Sequence, residues 1–101
     1  MSITIGNYSF EGPFGNTAAL RNNSGVYAIL SRRTDMDRYT VIDIGEAGWI
    51  QDRVANHDRR DQWRRNNRGN LAVAALYCDE AARMRIEREL RAQFSPVCGV
   101  R

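Results

Sequence analysis

The period of apolar and polar positions changes several times along the chain, and each change marks an element. Residues 3–11 alternate around Gly6-Asn7, which predicts two short strands joined by a hairpin turn. Gly12-Pro13-Phe14-Gly15-Asn16 and Asn22-Asn23-Ser24-Gly25 are rich in turn formers and predict breaks. Val26-Tyr27-Ala28-Ile29-Leu30 is a β-branched and aromatic run, so it predicts a strand. Residues 31–38 are polar and predict a hairpin loop, with Tyr39-Thr40-Val41-Ile42-Asp43-Ile44 as the partner strand stopping at Gly45.

From Trp49 the spacing turns helical. Ile50 and Val54 lie four apart and form an apolar stripe, while Arg53 and His57, also four apart, share an adjacent face. A second helix is open over residues 58–68, where charge is dense and Gly69-Asn70 ends the pattern. Leu71 to Tyr77 is too apolar for a surface strand and predicts a central one. Asp79-Glu80 reads as a helix start, with acids in the first turn. Ala82, Ile86 and Leu90 carry one stripe to about residue 93, and Ser95-Pro96 ends it. The expected fold is α+β, a small mostly antiparallel central sheet flanked by helices, with an N-terminal β-hairpin. At 101 residues the chain is one domain, with no internal repeat or linker.

Composition changes this picture little. About 43% of residues are apolar, enough for a small core, and no run approaches the ~18 residues of a membrane span. The N-terminus has no basic segment of the signal-peptide kind, so a cytoplasmic protein is expected. Cys78 and Cys98 make no CxxC pair, which points to two buried free thiols. The net charge is +3, and all fifteen basic residues are arginine. Guanidinium forks match phosphate in two-point contacts, although a genome rich in G and C also favours arginine codons.

Gly25-Val26-Tyr27 on one strand and Asp43-Ile44-Gly45 on the next resemble the paired tripeptides of the GIY-YIG nucleases. Arg53 follows eight residues after the second glycine, His57 comes four later, and Glu87 precedes Pro96 by nine. The similarity spans roughly residues 25–99. It implies a divalent-metal-dependent endonuclease with Mg2+ or Mn2+ held by Glu87. Arg53 would stabilise the transferring phosphate, and Tyr27 with His57 would handle protons. Two positions depart from the family pattern: Asp43 stands where the second tyrosine is usual, and Gly99 where an asparagine is usual. Both bear on activity and metal dependence. Asp43 is open to three roles, as a second carboxylate near the metal, as the base, or as a surface change, and Glu46 adds another acid nearby.

These roles have a physical basis apart from the resemblance. Phosphodiester cleavage needs an activated water and relief of charge on the phosphate. A magnesium ion takes only one or two protein carboxylates, so Glu87 alone is a sufficient ligand; the competing role is a helical ion pair with Arg83 or Arg91. His57 is the only histidine and titrates near neutrality. Arg59, Arg60, Arg64, Arg65 and Arg68, with Trp63, form the expected backbone-binding patch, with the indole stacking on an unpaired base. Asp58 and Asp61 dilute its charge. The expected partner is nucleic acid, DNA ahead of RNA, with no membrane, and with a homodimer or partner protein to supply specificity. The alternatives are a catalytically impaired nucleic-acid-binding module on the same fold and a protein-interaction domain.

Overall fold

The computed structural model describes residues 1–99 and is α+β. Five strands form one antiparallel sheet: β1 (Ser2–Ile5), β2 (Tyr8–Phe14), β3 (Gly25–Arg32), β4 (Thr40–Ala47) and β5 (Asn70–Tyr77). Their spatial order is β1-β2-β5-β3-β4. The expected central strand 71–77 is indeed β5, flanked by β2 and β3. Three α-helices complete the fold, α1 (Ile50–Ala55), α2 (Arg60–Arg65) and α3 (Glu80–Phe94). Among the described residues no helix is long and apolar enough to cross a membrane.

Strand alternation divides the interior into two layers. Val26, Ala28 and Leu30 of β3 join Ala72 and Ala74 of β5 on the face that meets Ile86 and Leu90 of α3. Tyr27 and Ile29 join Val73 and Ala75 on the opposite face, against Ile50 and Val54 of α1 and Trp63 of α2. The helical stripes read from the sequence are therefore core stripes, facing opposite sides of one sheet. Asp79 caps α3 by accepting from the Ala82 amide at 2.9 Å, as its acidic start predicted.

Four boundaries differ from the expectation. β2 continues through Gly12-Pro13 to Phe14, because a register shift between Glu11 and Phe14 absorbs the turn-forming pair within the strand. Residues 17–19 form a single 3-10 turn that the pattern did not signal. β4 does not stop at Gly45 but runs to Ala47, since Gly45 pairs with Tyr27 and Ala47 with Gly25. α1 ends at Ala55, so His57 lies on the link to α2 and not on a helical face with Arg53.

An irregularity in β4 decides where Asp43 points. Ile29 pairs with Asp43 and Leu30 with Val41, leaving Ile42 as an inserted residue. This bulge turns Asp43 to the α1–α2 side, while Ile44 packs on the α3 side. The outer edge of β4 is covered by the segment after α3, where the Cys98 amide donates to the Ile42 carbonyl at 2.8 Å.

Candidate functional site

Both glycines of the paired tripeptides are required sterically. A Cβ on Gly25 would meet the Leu76 carbonyl oxygen at 2.2 Å, backbone that cannot yield. A Cβ on Gly45 would meet the Tyr27 hydroxyl at 2.1 Å. Gly45 is the cross-strand partner of Tyr27, and its bare Cα is the surface on which that phenol lies.

From there the Tyr27 hydroxyl reaches His57 Nε2 at 2.7 Å, joining side chains from β3 and from the α1–α2 link. Both are buried, and the rings meet nearly edge-on. On the far side of the imidazole, Nδ1 accepts from the Arg59 amide at 3.0 Å and lies 3.1 Å from Asp58 Oδ1. The same Asp58 oxygen accepts from Arg53 Nη2 at 3.1 Å. Tyr27, His57 and Arg53 are thus brought together, with Asp58 bridging the last two at the surface.

Burial and neighbouring charge set the protonation of this group. Desolvation, helped by the Asp43 carboxylate, pushes the Tyr27 phenol up to about 12 against the opposing pull of Arg53 and Arg59. Desolvation and those same two guanidiniums push His57 down to about 4. At neutral pH the site therefore holds a neutral phenol beside a neutral imidazole.

Asp43 has a different place from the one its sequence position suggested. It is fully buried and accepts from four residues. Its Oδ1 takes the Ile44 amide at 2.9 Å and Arg91 Nη1 at 2.8 Å. Its Oδ2 takes Arg59 Nε at 2.9 Å and the Trp63 indole at 2.7 Å. Burial alone would raise this carboxyl, but the bonds from Arg59, Trp63 and Arg91 more than offset it and hold it below the usual carboxylate range. The roles of base and of second metal ligand are corrected: both oxygens are already engaged, away from solvent.

The second departure from the family pattern belongs to the same cluster. Gly99 has φ +86, and a Cβ there would lie 2.6 Å from Arg91 Nη2. Arg91 itself comes from α3 around the outer edge of β4, donating to the Ile44 and Cys98 carbonyls as well as to Asp43. Asp43 and Gly99 are therefore two sides of one guanidinium site, the first supplying its counter-charge and the second its space.

The arginine-rich segment is likewise divided by burial. Trp63 is only 5% exposed and sits under α2 with its N–H committed to Asp43, which corrects its expected role as a stacking platform. Arg59 is bound to the same carboxylate and is corrected as a phosphate contact. Arg60, Arg64, Arg65 and Arg68 are exposed, with Arg64 paired to Asp61 at 2.8 Å. Arg60 and Arg64 line a cleft of about 160 Å³ together with Phe14, Val54 and Leu71.

Glu87 lies on α3, on the opposite face of the sheet from α1, and is half-buried. Arg83 and Arg91 flank it at four residues on either side, on one helical stripe. Arg83 donates to Glu46 at 2.7 Å and Arg91 to Asp43, so the stripe follows the β4 edge past Gly45. Among the described residues no three His, Cys, Asp or Glu side chains cluster as a metal site.

Two residues of this region carry little signal in the sequence. Asp58 enters the pattern only as dilution of positive charge, although its position beside the sole histidine is a clue to its contact. Trp49 precedes α1 as its N-cap residue and is 65% exposed, four residues before Arg53 in the chain. No protein-family model, curated protein or solved structure matches this chain, so its chemistry rests on the arrangement just described.

Proposed function

We propose that this chain is a divalent-metal-dependent endonuclease of the GIY-YIG kind, hydrolysing phosphodiester bonds in nucleic acid, with DNA the favoured substrate. The observation that carries the reading is the anion already seated on Arg53, where Asp58 Oδ1 accepts from Nη2 at 3.1 Å beside the His57 ring. A substrate phosphate oxygen has the same charge and the same needs. It would take that carboxylate's place on Arg53, whose side chain is 42% exposed. The Tyr27–His57 contact lies directly behind this position.

Arg53 would stabilise the negative charge that grows on the phosphate as water adds. With Nδ1 accepting from the Arg59 amide, the neutral His57 ring carries its proton on Nε2 and donates it to the Tyr27 oxygen, so this pair would orient the attacking water and shift protons only as charge develops on the phosphate. Glu87, between Arg83 and Arg91 on α3, would supply one hard carboxylate to an ion that otherwise keeps its waters and binds substrate oxygens. Bound there, Mg2+ or Mn2+ would supply charge neutralisation and an acidified water. Arg60, Arg64, Arg65 and Arg68 would hold flanking phosphates through salt-sensitive contacts.

Incubation of supercoiled plasmid with the protein and Mg2+ or Mn2+ tests this. Nicking is expected, with Arg53→Ala slower by about a hundredfold or more. Glu87→Ala should be inactive while remaining folded. Equal nicking by wild type and Glu87→Ala would remove the assigned site.

A second reading is a nucleic-acid-binding module that does not cut. The burial of Tyr27, only 1% exposed, and the commitment of Asp43 to structure favour it. It predicts DNA binding that weakens steeply with salt, and no nicking with either metal.

A further inference from the structure

We infer that Trp49 is a stacking platform for the nucleobase adjoining the phosphate held by Arg53, which makes unpaired or distorted DNA the preferred substrate. The inference rests on the phosphate-binding reading of Arg53 and not on cleavage.

Trp49 is the most exposed aromatic side chain among the described residues, at 65%. It stands at the N-terminus of α1, and its carbonyl accepts the Arg53 amide at 3.0 Å. The two residues are thus joined across the first turn of the helix. Both line an open cleft of about 360 Å³ with Ala47, Gly48, Asp52 and Asn56. Ala47 and Gly48 carry almost no side chain, which helps leave it open. The lining therefore combines a flat indole and a cation, with Asp52 as its one carboxylate.

This pairing matches the two parts of a nucleotide. The phosphate is attracted to Arg53, and the base has a π-face that any indole accepts whatever the sequence. The indole makes no side-chain capping bond for α1, so the helix gives no reason for its exposure. A base inside an intact duplex is stacked on its neighbours and cannot also lie on Trp49. Flaps, bulges, mismatches and single strands offer one at little cost. Trp63, the other indole, is buried and cannot serve.

Tryptophan emission reads this directly. A short oligothymidine is titrated into the protein without metal, beside a strand of equal length made of abasic sugar-phosphate units. Quenching by oligothymidine is expected, with affinity roughly tenfold above that of the abasic strand. Trp49→Ala should lose both the quenching and that preference, Trp49→Phe should keep most of the preference, and the buried Trp63 emission reports that each variant is folded. Equal affinity for the two strands, equal binding by Trp49→Ala, or no binding at all overturns the inference. Binding with base preference but no plasmid nicking leaves it standing and removes the nuclease reading. Nicking with no base preference does the reverse.

Discussion

Two aspartates on either side of one histidine face arginines, and they do opposite things. Asp43 is buried in the β4 bulge and accepts from Arg59, Arg91, Trp63 and its neighbour's amide. Asp58 is 74% exposed at its side chain and touches Arg53 and His57 with one oxygen. The first pair of charges has been taken out of water, so every lone pair must be answered by the fold and nothing is left for a ligand. The second pair remains in water, where a carboxylate holds a guanidinium so weakly that another anion can replace it. Identical functional groups thus become a structural tie in one place and an exchangeable contact in the other, and burial alone makes the difference.

The sharpest way to break this comparison is to neutralise the buried member. Asp43→Asn takes from the Arg91 guanidinium, only 4% exposed at its side chain, the buried carboxylate it is paired with. Such a loss costs about 3–5 kcal/mol. Urea unfolding measures it, and a cost below about 1 kcal/mol would show that the cluster is not a tie. Asp43→Tyr, which installs the residue usual in the family it resembles, should destabilise at least as much and nick no faster than wild type, because Arg91 and Gly99 remain shaped around a carboxylate.

Acidification separates the two regions next. His57 is held neutral down to about 4 in the fold, whereas an unfolded histidine takes a proton near 6.5. Between those values the unfolded chain binds the extra proton, so stability must fall as pH falls through this window, by as much as ~3 kcal/mol. Asp43 adds a second decline at lower pH, where an unfolded aspartate protonates before the folded one does. Thermal unfolding from pH 7 to pH 4 reads the first step, and His57→Gln should flatten it. A stability profile that is level from pH 7 to pH 4 in the wild type would contradict a buried neutral imidazole.

The range of each interaction decides whether the sequence could reveal it. The stripes Ile50–Val54 and Ala82–Ile86–Leu90, and the apolar run that forms β5, are readable because period and burial are local consequences of one element meeting one sheet face. The resemblance names Tyr27, Arg53 and His57, and these three lie close together, but a turn delivers the His57 ring and not the shared helical face that its spacing from Arg53 suggested, since α1 stops at Ala55. The bulge at Ile42 is invisible in the sequence, because it depends on the register chosen by β3. With it goes the fate of Asp43, and with Asp43 those of Arg59 and Trp63. An indole among arginines looks the same in sequence whether it faces solvent, as Trp49 does, or a buried carboxylate, as Trp63 does.

The smallest expected effect tests the open half of the comparison most directly. Asp58 is not needed for folding if it is a placeholder, so Asp58→Asn should change stability by less than about 1 kcal/mol. It should nevertheless tighten nucleic-acid binding, because an incoming phosphate no longer has to displace a carboxylate from Arg53. The pair it replaces is worth about 0.2–1 kcal/mol, which corresponds to a KM in plasmid nicking lower by up to about fivefold, with kcat unchanged. The same oxygen also lies against His57 Nδ1, and that contact gives the opposite outcome its meaning. A drop in kcat at constant KM would show that Asp58 holds the imidazole in place against Tyr27, a positioning residue in the proton path. In that event the exposed carboxylate would be tied to the fold as firmly as the buried one, and exposure would not be what distinguishes them.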